Sequence, residues 1–334
     1  MQPHGSTPIK QIFKSFSNLN VLIIGDVMMD AYTWGNVSRI SPEAPVPIVS
    51  ITKKENRLGG AANVALNIQA MGAKPILCSV IGDDGNSKLF LDLLKGQKLS
   101  AKGILKDKKR MTTVKTRIIA GNHQMLRVDE EIETDLNSET NSALIKTIKA
   151  LLVTEKVDVI IFEDYDKGAI TPDLIKEIIA FAKQKNIPTV VDPKKKNFLN
   201  YAGATLFKPN LKELKEGLKI DFNTSDFAAI EKAAAQFVKK QDINTLLITL
   251  SEKGIYTHSA KTKRLIPAHV RNISDVSGAG DTVVSIAALC LALHLSPELT
   301  ATLANLAGGL VCEKVGVVPI NKEQLLEEAI LLNL

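Results

Sequence analysis

Four consecutive aliphatic residues, Val21-Leu22-Ile23-Ile24, stop at Gly25-Asp26. A strand shows alternate side chains to opposite faces, so a segment without polar residues cannot lie half in water. It needs a sheet covered on both sides, which is the situation of parallel strands. Comparable runs recur at Pro75–Ile81, Val157–Phe162, Thr189–Val191, Thr205–Phe207 and Leu246–Leu250. Between them lie stretches of helical periodicity. Ala61, Val64, Ala65, Ile68 and Met71 fall at helical spacing, and Gly72 is placed to end that helix. Pro172–Lys185 and Phe227–Lys240 predict further helices, and Thr282–Leu293 and Pro297–Lys314 a closing pair. This alternation predicts an α/β fold with a mostly parallel central sheet flanked by helices on both faces.

Two segments depart from the rhythm. Tyr32–Thr52 holds Pro42, Pro45 and Pro47 among β-branched residues, and Thr112–Val128 alternates in the manner of a strand. They predict a small antiparallel β element inserted between units of the main fold. Met1–Phe16 has no apolar core of a secretory signal, and the longest apolar run, Val283–Leu293, is too short to span a bilayer. The expectation is a soluble cytoplasmic protein with no membrane partner. Cys78, Cys290 and Cys312 are widely spaced in apolar company, which argues against disulfides or a zinc site. The net charge of +6 comes from lysines spread along the chain, and aromatics make up only 4%. A nucleic-acid binder would concentrate charge and stacking rings, so a solvated basic surface or a small anionic substrate is expected. No G-x-G-x-x-G follows the first strand, which argues against a dehydrogenase.

The chemistry concentrates in Ser274-Asp-Val-Ser-Gly-Ala-Gly-Asp281. Amides of a glycine turn at a helix start form an anion site, and glycine lets a phosphate approach the backbone. Asp281 in the first turn of the helix reads equally as a residue favoured by the helix dipole or as a proton acceptor. An anion hole beside a carboxylate is what phosphoryl transfer to an alcohol requires.

Asp275-x-x-Gly278-Ala279-Gly280-Asp281 resembles the C-terminal signature of the ribokinase-like (pfkB-type) carbohydrate kinases. Gly59-Gly60 with Asn63 resembles the family's N-terminal signature, and the likeness covers nearly the whole chain. It implies ATP and Mg²⁺ as cofactors, K⁺ in some members, and a homodimer formed through a β lid. Asp281 would be the base, with Gly278, Ala279 and Gly280 as the anion hole. Asp26 and Asp30 at the end of the first strand, with Gly59, Gly60 and Asn63, would contact the sugar. Asn63 could also be a plain first-turn helix residue, but beside Gly59-Gly60 substrate contact is the favoured reading. Asn210-Leu-Lys-Glu213 looks like the N-x-x-E motif tied to magnesium and phosphate, with Glu213 nearest the metal. Ser251 and Gly254 occupy the nucleotide-side strand end, where Ser251 stands in place of a usual glycine. Asn305 would meet the adenine or simply pack between helices. Asp275, near Gly316, would serve a monovalent cation.

A narrower resemblance lies in Ser38-Arg-Ile-Ser-Pro-Glu-Ala-Pro-Val-Pro47, Gly59-Gly-Ala-Ala-Asn-Val-Ala65, Asp164-Tyr-x-Lys-Gly168 and Asp192-Pro-Lys194. These look like the kinase domain of the heptose 7-phosphate kinase/heptose 1-phosphate adenylyltransferase family. The implied reaction phosphorylates O1 of D-glycero-D-manno-heptose 7-phosphate, on the route to ADP-heptose and lipopolysaccharide. Lys115, Arg117 and Lys194 would hold the 7-phosphate, since the Arg fork suits a phosphate. The chain contains no H-x-G-H motif, so no adenylyltransferase domain is expected. The expected organisation is a single kinase domain over 1–334 with a lid from about 32–54 and 110–127. Another ketose or nucleoside kinase, or a non-catalytic sugar-binding regulator, are the alternatives.

Overall fold

A computed structural model describes residues 8–121, 123–223 and 226–334. In chain order the strands are β1 (Asn20–Gly25), β2 (Val27–Ile40), β3 (Pro47–Gly60), β4 (Lys74–Gly82), β5 (Gly103–Asp107), β6 (Val114–Ala120) and β7 (His123–Glu130). They continue with β8 (Val159–Glu163), β9 (Thr189–Asp192), β10 (Leu206–Phe207), β11 (Thr245–Thr249), β12 (Ile255–Ser259) and β13 (Lys263–Ile266). The helices are α1 (Ile9–Ser15), α2 (Ala61–Ala70), α3 (Gly85–Gly96), α4 (Ser138–Thr154), α5 (Pro172–Gln184), α6 (Leu211–Leu218), α7 (Phe227–Gln241), α8 (Ala279–Ala292), α9 (Pro297–Cys312) and α10 (Lys322–Leu331).

The large sheet runs β13-β12-β11-β10-β9-β8-β1-β4-β5. Its pairings are parallel from β5 to β11, and β12 and β13 add an antiparallel edge. β1 sits inside it, and its aliphatic run divides by parity. Val21 and Ile23 join the core under α2, α8 and α9, while Leu22 and Ile24 join the opposite core under α4, α5 and α7. All four are fully buried. Each contributes roughly 1.5–3 kcal/mol relative to exposure, so a polar residue at either parity would be strongly destabilising. Helix α5 shows how local chemistry sets a boundary. The Thr171 hydroxyl accepts the Leu174 amide at 3.2 Å, and Pro172 fills the first turn, where its missing N–H costs nothing.

The two irregular segments build a separate four-stranded sheet, β3-β2-β6-β7. The pairings β2–β3 and β6–β7 are antiparallel as expected, whereas β2 and β6 run parallel. The parallel step arises because the chain passes through α2, β4, α3 and β5 before returning. The strands also begin earlier and end later than the sequence suggests, with β2 starting at Val27 and β3 reaching Gly60. Both extensions carry the small sheet directly to the end of β1.

Candidate active site

The parallel strands deliver polar residues at their carboxyl ends, where open α/β sheets bind ligands. In register, Gly25 lies beside Glu163, and Glu163 beside Asp192. Lys208 follows β10 directly, and its ammonium lies 2.9 Å from the Asp192 carboxylate, both buried. Helix α8 starts against this cluster. Its N-cap is Gly278 at φ +80°, so Asp281 stands in the first turn and is not the cap. A Cβ on Gly280 would lie 3.6 Å from Asp192 Oδ2 and 3.7 Å from Lys208 Nζ. First-turn amides have no intrahelical carbonyl to reach, so those of Gly280 and Asp281 remain for an anion. The Ala279 amide donates to Val276 O at 3.3 Å.

Asp281 is 4% exposed. Its Oδ2 accepts from Asn63 Nδ2 at 2.7 Å and its Oδ1 from the Tyr165 hydroxyl at 2.7 Å. Burial pushes the Asp281 carboxyl above its usual range, and these two hydrogen bonds pull it back. Glu163 is pushed much further, by burial first and then by the charges of Asp192 and Asp281. The buried atoms Glu163 Oε2, Asp192 Oδ1 and Asn63 Oδ1 have no protein partner. Asn63 therefore does reach Asp281, from the first turn of α2.

Other expected residues take different places. Asp26 was expected to hold sugar hydroxyls, but it is buried and both its oxygens accept main-chain amides, of Tyr165, Lys167 and Ala169. Asp30 is also buried and pairs with Arg117 at 2.5 Å. A Cβ on Gly59 would lie 2.2 Å from Asp30 Oδ2, and one on Gly60 2.4 Å from Asp26 O. The two glycines let β3 close against β2. Lys115 is held by Asp129 at 3.0 Å and Glu131 at 2.7 Å, which removes it as an unpaired phosphate ligand. Lys194 pairs with Glu213 and lies 5.3 Å from the Tyr165 ring centroid, so it does border the site.

Asn210 and Glu213 form a reciprocal capping box at the start of α6, each accepting the other's amide at 2.8 Å. Lys194 pairs with the other oxygen of Glu213, so in this arrangement Glu213 caps the helix and holds a cation. Among the described residues, no group of three or more His, Cys, Asp or Glu side chains is disposed to cage a metal ion. Ser251 and Asn305 line a cleft of about 740 Å³ together with Ala279 of the glycine turn. Ser251 and Asn210 line a neighbouring cleft of about 910 Å³. Asn305 also donates to Pro267 O at 2.8 Å. Gly254 takes φ +97°, and a Cβ there would lie 2.0 Å from Ile266 O, so it serves the β11–β12 turn. Asp275 accepts the amides of Ser277 and Gly316, both at 2.9 Å, tying the segment before α8 to the one after α9.

Glu163, Lys208 and the Tyr165–Asp281 contact are not evident in sequence. The only local signal is a charged residue closing an apolar strand, at Phe162-Glu163 and Phe207-Lys208.

The model for "pfkB family carbohydrate kinase" matches residues 18–324. A bifunctional protein HldE of Geobacter sulfurreducens is 36% identical over 95% of this chain, and one of Koribacter versatilis 40% identical over 94%. The chain spans 64% of the length of each. Among solved structures, phosphofructokinase-2 from Escherichia coli in complex with substrates and products superimposes with a TM-score of 0.75 at 18% identity, over 93% of this chain and 99% of that one. Arabidopsis thaliana ribokinase complexed with ribose and ATP gives 0.70 at 16% identity, over 92% and 98%. At such identities the likeness speaks for the ribokinase-like fold. The family match is a separate finding, and it runs from just before the first strand of the large sheet into the last helix: the chain belongs to the pfkB family of carbohydrate kinases.

Proposed function

We propose that the chain transfers the γ-phosphoryl group of ATP to the anomeric hydroxyl of D-glycero-D-manno-heptose 7-phosphate. The observation that carries this reading is Asp281, buried and doubly hydrogen-bonded within the first turn of α8. Asp281 takes the proton of the sugar O1 hydroxyl while O1 bonds to the γ-phosphorus. The bond from that phosphorus to the bridging oxygen breaks, and its electron pair leaves with ADP. The amides of Gly280 and Asp281 face the charge on the transferring group, which favours the transition state over the ground state. The nucleotide occupies the cleft lined by Ser251 and Asn305. Magnesium, arriving with the triphosphate, would neutralise phosphate charge when bound. Arg117 and Lys194 each hold a single acid, Asp30 and Glu213, where Lys115 holds two, and they are the cationic side chains assigned to the substrate's own phosphate, which would take the place of those partners. The similarity to the HldE proteins and the Ser38–Pro47 segment favour a heptose over other sugars.

Phosphorus NMR of the product from heptose 7-phosphate and ATP–Mg tests this. A second phosphate on the anomeric oxygen is expected, and no ADP-heptose, since the H-x-G-H motif is absent from these residues. Phosphate on another carbon, or only ADP and inorganic phosphate, would overturn the assignment.

The small sheet serves as a lid that excludes water, and it pairs two protomers. Ile40, Ile51 and Leu126 on it are each more than half exposed, an apolar surface that a partner sheet would cover. Sedimentation of the wild type should give a dimer, and Ile51→Glu a monomer. A wild type that sediments as a monomer at micromolar concentration contradicts the pairing.

A further inference from the structure

The loop after β8 carries Tyr165 to the base, and something must fix that loop. Asp26 Oδ2 accepts the amides of Tyr165 at 2.8 Å and Lys167 at 3.1 Å, and its Oδ1 accepts that of Ala169 at 2.9 Å. Hydrogen bonds to an ionised carboxylate are the strong kind, and three of them set the path of five consecutive residues. Two backbone positions in the loop are left-handed, Asp166 at φ +56° and Gly168 at φ +84°. A Cβ on Gly168 would lie 2.0 Å from Thr134 O. The loop is thus held from both sides, and the Tyr165 hydroxyl arrives 2.7 Å from Asp281 Oδ1. Asn63 supplies the other carboxylate oxygen from a different element.

We propose that Tyr165, anchored by Asp26 through the 165–169 loop, is a positioning residue that sets both the orientation and the basicity of Asp281. The inference rests on the reading of Asp281 as the base. Tyr165 is a dependable donor, because burial and then the charges of Asp281 and Glu163 keep its hydroxyl protonated. Asp281 is faced by Asn63 from α2, Tyr165 from the loop, Glu163 from β8, Asp192 from β9 and Lys208 after β10. Burial and the charge of Asp192 favour the protonated form of Asp281. Lys208 and the two hydrogen-bond donors favour the carboxylate, the form a proton acceptor must have. Deleting the tyrosine hydroxyl removes one stabiliser of the carboxylate and leaves burial and Asp192 in place.

The test is the pH profile of kcat/KM with heptose 7-phosphate and ATP–Mg. In Tyr165→Phe the acid limb should move up by about one to two pH units, the size expected for losing a hydrogen bond to a charged group. Activity below the limb should fall about 10–100-fold and be largely recovered above it. Substrate phosphates titrate identically in both proteins, so the difference belongs to the enzyme. Asp26→Asn must turn an NH₂ towards at least one loop amide, so it should give the same shift. Adding it to Tyr165→Phe should shift the limb no further, because both act through one contact. An unmoved limb in Tyr165→Phe, or an equal loss at every pH, overturns the role of the tyrosine. Additive shifts, or an Asp26→Asn protein that does not fold, overturn the anchoring role of Asp26. If the wild-type acid limb persists in Asp281→Asn, the base assignment itself fails, which is a separate outcome.

Discussion

Asp281→Asn should turn over roughly 10²–10⁴-fold more slowly than the wild type and melt at nearly the same temperature. The rate loss follows from removing the proposed proton acceptor while keeping its shape. Stability should hold because asparagine can keep both hydrogen bonds. Its amide oxygen accepts from one of Asn63 and Tyr165, and its NH₂ donates to the other, since an amide can flip and a hydroxyl accepts as well as donates. The charge balance points the same way. An acid whose folded pKa is raised stabilises the fold most below its unfolded pKa, and that stability is lost as pH rises towards the folded value. Asp281 is such an acid, so at neutral pH its ionisation opposes folding and asparagine removes that opposition. If Asp281 served only to start the helix, the variant would melt lower and each folded molecule would remain active.

Lys208→Met should be the most destabilising single change at the site, by about 3–5 kcal/mol at neutral pH. Lys208 and Asp192 are both buried, and Glu163 and Asp281 lie within reach of the same ammonium. Removing it leaves acids without their counter-charge in a region from which water is largely excluded. The deficit should widen with pH. Burial and neighbouring acids already hold the Glu163 carboxyl well above its usual range, so its stabilising effect lies at low pH and fades as it ionises. Without Lys208 each ionisation costs more. Denaturant unfolding at pH 5.5 and pH 8 should show the larger loss at pH 8, and Lys208→Met/Asp192→Asn should recover part of it. An equal loss at both pH values would contradict the electrostatic origin.

The framework was legible because it rests on local periodicity. An aliphatic run such as Val21–Ile24 has one stable environment, and Gly278-Ala-Gly-Asp281 announces a helix start. The site was less legible because its contacts join distant positions. Tyr165 and Asp281 are 116 residues apart and Asn63 and Asp281 are 218 apart, and no spacing rule connects them. Where one motif serves two purposes, sequence cannot choose between them. Asn210-x-x-Glu213 is a capping box as readily as a ligand pair, and the fold uses it as the box. Asp26 ends a strand as a sugar ligand would, yet its carboxylate faces three amides of its own chain. The parallel step between β2 and β6 was hidden for a related reason. Alternation reveals a strand but not the direction of its neighbour.

The central claim is that Asp281 acts in the chemical step. Rapid-quench measurement of phosphoryl transfer in a single turnover, with ATP–Mg and heptose 7-phosphate saturating, isolates that step from binding and product release. The account predicts that Asp281→Asn binds both substrates with near wild-type affinity and transfers the phosphoryl group roughly 10²–10⁴-fold more slowly. A wild-type transfer rate in the bound complex, with any loss confined to affinity, would contradict it.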